Sequence, residues 1–334
     1  MTKRLVLMIL CLTFLPDVSA QPPLHTGDST ANALAAEVSR LKGALAALKL
    51  PAADAESFSS LLSRSERAAQ SGHVFLGLHI LQYAAPVLSG YEFQQAKAEI
   101  GKGRLAAFEQ EWRRFGPELA ERQRRLATAQ RWPLAAQAVV ERSLTQAQPT
   151  YQLSLLYGQE SSVENGLFYL GLAKAHLDFV AFCRSLKFDA TGAAPLRSLA
   201  PELAELEKEV LAAYRQYDTP DRHSAFIRVN SLLKMAQDLE RERRYSGAWL
   251  QALEAWRALI PINVTTAENR TAAVLRTQSE AFRAQLSNAS ADHSPGWLYW
   301  QMAEAALATD DLKQANAILH HVLPRYFKSL TRSK

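Results

Sequence analysis

The stretch WLYWQMAEAALATDDLKQANAILHHVLP, residues 297–324, decides how this chain is read. Apolar and small residues recur through it at helical spacing. Asp310-Asp311 interrupts the run and Pro324 closes it. The spacing predicts one helix near 297–308 and a second near 311–323. A connection this short forces the two to lie antiparallel, so the unit is a helical hairpin.

Working outward, the same periodicity fills the chain. Leu34, Val38, Leu41, Leu45 and Leu48 keep to one helix face, as do Leu203, Leu206, Val210, Tyr214 and Tyr217. Ala272, Leu275, Ser279, Phe282 and Leu286 form a third stripe. Further helices are expected near 54–70, 73–88, 91–115, 117–130, 133–147, 162–187, 221–243 and 246–260. The breaks between them are Ser71-Gly72, Ser89-Gly90, Gly116-Pro117 and Trp132-Pro133. Tyr151, Leu153, Leu155 and Tyr157 alternate between Pro149 and Gly158. A lone strand would leave its backbone unpaired, so a short helix or an ordered loop is expected there. The fold expected is all-α, built of antiparallel helical hairpins. Asp189-Ala-Thr-Gly-Ala-Ala-Pro195 is the one composition shift, and it separates an N-terminal helical half, 29–188, from a C-terminal half, 196–334.

In the opening hairpin Tyr299, Met302, Ala303 and Ala306 precede the turn, and Ala315 and Leu319 follow it. The small pair Ala303 and Ala315 lets two helices approach closely. This pattern resembles the tetratricopeptide repeat. A second trace has Leu232, Met235, Ala236 and Leu239, then Ala248, Ala252 and Pro261; a third has Ser65, Ala68, Gly72, Gly77, Leu81 and Ala84. Ala306 stands where the family has an aromatic residue, and Pro324 comes about three residues early. The resemblance covers about a third of the chain after residue 20. It implies an α-solenoid with a concave surface for peptides or partner proteins, and no chemistry.

The N-terminus carries an address. Lys3 and Arg4 precede an apolar run from Leu5 to Leu15, then Pro16 and Val18-Ser19-Ala20. That is the layout of a secretory signal peptide over 1–20, with a flexible leader over 21–28. A helix of the apolar run would reach only ~16 Å, against a ~30 Å hydrocarbon core. No later stretch has the ~18 uninterrupted apolar residues of a transmembrane span. Removing 20 of the 334 residues leaves 314, and loss of two cations and one anion takes the net charge from +5 to +4. The basic residues are interleaved with acidic ones, which argues against nucleic acid. Arg122, Arg124 and Arg125, and Arg241, Arg243 and Arg244, read as solvated faces, or as a peripheral contact with an anionic envelope surface. The composition looks bacterial, and the expected location is the periplasm or the exterior. Cleavage leaves Cys183 as the single cysteine, so no intrachain disulfide forms. Asn263-Val-Thr, Asn269-Arg-Thr and Asn288-Ala-Ser fit the glycosylation sequon.

Candidate chemistry is sparse. His73 and His79 are six apart, His320-His321 diverge on a helix, and His176 and Asp178 share a helix but not a face. No metal site or cofactor motif is read. Glu160-Ser161, followed by Gly166 and Gly171-Leu172, is similar to the catalytic Glu-Ser of lytic transglycosylases, which cleave peptidoglycan. The family's later Gly-Ala-x-Gly-Leu-Met-Gln segment has no match. Glu160 is more simply a carboxylate at a helix N-terminus. Trp249 and Trp256 lie on one stripe, and Trp297, Tyr299 and Trp300 cluster at another helix start. Such aromatics are core, or they line a groove that anchors a partner. The expected role is an exported non-catalytic scaffold or adaptor binding protein or peptide partners in the cell envelope. The alternatives are a small-ligand or lipid carrier with an aromatic-lined cavity, and a glycan-cleaving enzyme using Glu160.

Overall fold

The structure, a computed structural model, describes residues 28–127, 132–188, 197–217, 219–220, 222–263, 270–288 and 292–331. The signal segment, the leader up to residue 27 and the Asp189–Pro195 stretch lie outside the described residues, as does part of each sequon. The helices are α1 (Asp28–Ala47), α2 (Ala52–Gln70), α3 (Val74–Ala96), α4 (Ala98–Gly101), α5 (Leu105–Leu126), α6 (Leu134–Glu160) and α7 (Val163–Ser185). They continue with α8 (Ala200–Tyr217), α9 (His223–Arg241), α10 (Tyr245–Asn263), α11 (Ala272–Ser287) and α12 (Ser294–Ala308). After α13 (Leu312–Asn316) the helix widens into a π-turn over Ala317–Val322 and ends as α14 (Leu323–Thr331). No strand occurs among the described residues. The chain divides into two compact units: residues 22–131 with 139–189, and 132–138 with 190–334.

The first unit is organised around α3 and α7, which pack on each other, with α1, α2 and α5 beside them. The α1 stripe of Leu34, Val38 and Leu41 is fully buried. A buried leucine contributes roughly 1.5–3 kcal/mol, more than an exposed ion pair at ~0–1 kcal/mol, so these stripes hold the helices in place. Glycines set the closest approaches. A Cβ on Gly171 would stand 2.5 Å from Phe93 Cβ, and one on Gly166 would stand 2.7 Å from Gly158 Cα.

In the second unit α9 and α10 form one hairpin, α12 and α13 another, and α10 also packs against the π-turn. Asp292 ties helix starts together. Its Oδ2 accepts from Leu134 N at 2.7 Å and its Oδ1 from Ser294 N at 2.8 Å. Ser294 Oγ accepts in turn from Ala135 N at 2.9 Å, which places residues 132–138 in this unit.

The hairpins α2–α3, α9–α10 and α12–α13 share one turn. Gly72, Arg243 and Asp310 each take positive φ, at 76°, 59° and 58°. The next residue's N–H then reaches back five residues: His73 to Ala68 O, Arg244 to Leu239 O, Asp311 to Ala306 O, at 2.7–2.9 Å. This is the 6→1 bond of a Schellman cap. Facing across each hairpin is a small buried pair at the same spacing: Ser65 and Gly77, Ala236 and Ala248, Ala303 and Ala315.

Several expectations are corrected. Ser89-Gly90 breaks nothing and lies inside α3; Gly90 is small because Phe168 presses on it, 3.0 Å from where a Cβ would sit. Gly116-Pro117 lies inside α5 and Pro149 inside α6. Both prolines point outward, away from the packing face, so each helix continues at the loss of one bond. The 151–157 segment is therefore the last third of a long helix. Its inward stripe is Ala147, Tyr151, Ser154 and Gly158. The break between α3 and α5 falls instead at Lys102-Gly103, where Gly103 takes φ 88°. Finally, α3 and α7 are each long and apolar enough to cross a membrane, with mean hydropathy 1.2 and 1.3. Polar residues such as His79 and Gln82 in α3, and the charges Lys174 and Asp178 in α7, interrupt the apolar runs, and 78% and 67% of those windows are buried.

Candidate functional site

A cleft of about 460 Å³ opens in the first unit between α1, α3 and α7. Its floor is Ala85, Gly171 and Ala175, Ala96 lies at its edge, and Phe93, Phe179 and Phe182 supply apolar surface. Five charges line it: Glu37, Arg40, Glu92, Lys174 and Asp178. The floor exists because small residues face one another where α3 and α7 meet, so no side chain fills the space above.

Electrostatics arrange the rim. Arg40 donates to Glu37 through Nε at 2.9 Å and Nη2 at 2.8 Å. That bond raises the Arg40 guanidinium pKa against the effect of burial, and the charges of Glu37, Glu92 and Asp178 add to the rise. Burial alone would raise the Asp178 carboxyl. Hydrogen bonds from Lys174 Nζ at 2.7 Å and Arg122 Nη2 at 2.5 Å outweigh it and hold the group below the usual carboxylate range. Arg122 is thus no free solvated charge, since its side chain is only 16% exposed. Glu92 has no ion pair within 4 Å among the described residues and is half-buried.

The same unit buries a polar cluster. Gln82 Nε2 lies 2.7 Å from His79 Nδ1, and His79 packs edge-on against Tyr83 at 5.5 Å. The Arg142 guanidinium lies over Tyr83, 4.2 Å from the ring centroid. Burial, aided by the Arg142 charge, lowers the His176 pKa to about 3. Two buried guanidinium nitrogens of Arg142 and the Nδ1 of His176 have no hydrogen-bond partner.

The residues singled out in the sequence lie elsewhere. Trp249, Trp256, Tyr299 and Trp300 are buried in the second unit, and Trp297 is half-buried. Trp249 stacks on Tyr326 at 4.8 Å, and the Arg325 guanidinium lies 5.7 Å from the Trp256 ring. Tyr299 donates to Glu254 Oε1 at 2.9 Å, and Trp300 Nε1 to Ser279 O at 3.1 Å. Trp297 meets Trp300 edge-on at 5.4 Å. Four of these five side chains turn inward as core, and Trp297 keeps part of its surface exposed. Glu160 is the exposed last residue of α6, at a helix C-terminus and not an N-terminus. The cap of the following helix is Ser162, which accepts from Asn165 N at 3.1 Å. Among the described residues no three of His, Cys, Asp and Glu assemble into a metal-ligating group.

Sequence reasoning missed the cleft. Its residues come from three helices spread over 37–182, and each charge reads locally as an ordinary solvated face. The one available signal was the small-residue spacing in α3 and α7. No family model, curated protein or solved structure matches this chain.

Proposed function

We propose that this chain is an exported, non-catalytic scaffold whose tetratricopeptide-like hairpins support a cleft for a peptide or protein partner in the cell envelope. The observation that carries the reading is the α1–α3–α7 cleft, a concave surface with apolar walls and a charged rim. Such surfaces combine burial with a few orienting polar groups. The repeat reading is supported by the three hairpins with one turn geometry and one small-pair spacing, the arrangement that the tetratricopeptide pattern asks for. Export rests on the signal-like layout of residues 1–20. The carrier and glycan-cleaving readings have less behind them. The cleft rim is charged, and Glu160 stands exposed and is not among the cleft residues.

The test is a photo-crosslinking amino acid placed at Ser89 or Phe182 in the full chain, in its native envelope. A discrete adduct is expected from these positions and not from Glu160. Equal labelling at all three, or none in the cleft, would overturn the reading. Glu160→Gln should leave every phenotype unchanged; loss of cell-wall cleavage with the fold intact would instead favour an enzyme.

A further inference from the structure

Resting on that reading, we propose that the cleft takes a basic side chain, a lysine or arginine of the partner peptide, with Glu92 as its counter-ion.

Charge selects the ligand. The lining carries Glu37, Glu92 and Asp178 against Arg40 and Lys174. Glu37 is satisfied by a two-point contact with Arg40. Asp178 is satisfied twice, by Lys174 and by Arg122. Glu92 is left with only the longer-range field of Arg40. A half-buried carboxylate facing a cleft without a direct partner favours an incoming cation, because desolvating it unpaired is costly. The acidic lining also stands out on a chain whose net charge is +5.

The walls fit the same ligand. Phe182 is half-buried and packs on Phe179 at 6.1 Å, so part of its ring faces outward. Phe93 already accepts Lys97 Nζ at 6.0 Å, and Lys97 is held by Glu111 at 3.2 Å. Aromatic faces favour cations, and the alkyl stem of lysine or arginine buries well on such surface. The small floor of Ala85, Gly171 and Ala175 leaves room for an unbranched chain to lie along α3 and α7. An acidic ligand would meet Glu92 uncompensated, with Arg40 and Lys174 already engaged by Glu37 and Asp178.

Fluorescence polarisation of the purified full chain tests this with labelled five-residue peptides. They are identical except for a central lysine, arginine, norleucine or glutamate. Lysine and arginine peptides are expected to bind at least tenfold more tightly than norleucine, with affinity falling as salt rises, and the glutamate peptide is expected not to bind. Glu92→Gln should remove the lysine-over-norleucine preference, and Glu92→Lys should reverse it, with helicity unchanged in both. A preference for lysine that survives Glu92→Gln overturns the proposal, as does equal binding of the glutamate peptide or no binding of any peptide. Equal binding of lysine and norleucine that is blocked by Ser89→Trp overturns the charge assignment alone and leaves the groove standing. The Ser89 crosslink judges the groove independently.

Discussion

In the first unit glycines bring helices into backbone contact alongside ring stacks such as Tyr157 on Tyr169; in the second, alanines and aromatic rings make the contacts. Gly166 sits against Gly158, and Gly171 against Phe93. In the second unit Trp249 stacks on Tyr326, and Tyr299 reaches the buried Glu254. The hairpin turn is the same in both. The difference is what fills the space behind it. Trp249, Tyr299 and Tyr326 fill that space in the second unit. Glycine contacts bring backbones together in the first, which also holds the cleft and the buried Arg142, His176 and His79. The cleft and the unpartnered buried nitrogens of Arg142 and His176 therefore belong to the same unit.

The largest test of this contrast is Gly166→Ala. Its Cβ would stand 2.7 Å from Gly158 Cα and from Phe108 Cζ, so backbone must move. The first unit should lose about 3 kcal/mol, the upper end for overpacking. Hydrogen exchange should show that loss in the first unit with the second unit's protection unchanged. An equal loss in both would mean that they open together.

Next comes pH. His176 is buried neutral, with its folded pKa lowered to about 3 by burial and by Arg142. An unfolded histidine titrates near ~6.5, so below that the unfolded state binds the extra proton. The contribution is complete above ~6.5 and is lost as pH falls. Going from pH 7 to 5 should cost about 2 kcal/mol at this residue. Burial lowers the pKa of His73 in the same direction. His176→Leu should flatten the first unit's stability profile between pH 5 and 7 by close to one proton. An unchanged slope would exclude His176 as its source.

The turns come third. Gly72→Ala forces a Cβ into the left-handed region and should cost about 1 kcal/mol. Arg243→Gly and Asp310→Gly should each gain about 0.5–1 kcal/mol, because both residues already occupy that region and are exposed. Thermal melts would show it, and a loss at Arg243 would mean that its side chain holds something. Smallest is Asp238→Asn. It removes the half-buried partner of the exposed Arg241, held at 2.7 Å, and should move stability by less than about 0.5 kcal/mol.

Much of the fold is legible in the sequence. Ser71-Gly72 and Asp310-Asp311 are real breaks, because each offers a residue at positive φ that ends a helix, and Trp132-Pro133 stands just before the start of α6. Ser89-Gly90 and Gly116-Pro117 misread because glycine has two uses, ending a helix or admitting a neighbour, and local sequence does not separate them. Residues 151–157 misread because half of the buried stripe, Ser154 and Gly158, is not apolar. The site was hardly legible at all. Tryptophans draw the eye, yet Trp249, Trp256 and Trp300 are packed away. The cleft is made by what is missing, the side chains of Gly171, Ala85 and Ala175, and absence of bulk carries no motif.

Cys183 lies on α7, the helix that forms one side of the cleft. It is 2% exposed, and burial pushes its thiol pKa far above the usual range. A thiol reagent can reach it only while α7 is out of place. Its labelling rate is therefore a clock, running tenfold slower for each ~1.4 kcal/mol that opening costs. The clock is native to the chain and sits a few residues from Asp178. Whatever occupies the cleft should slow it.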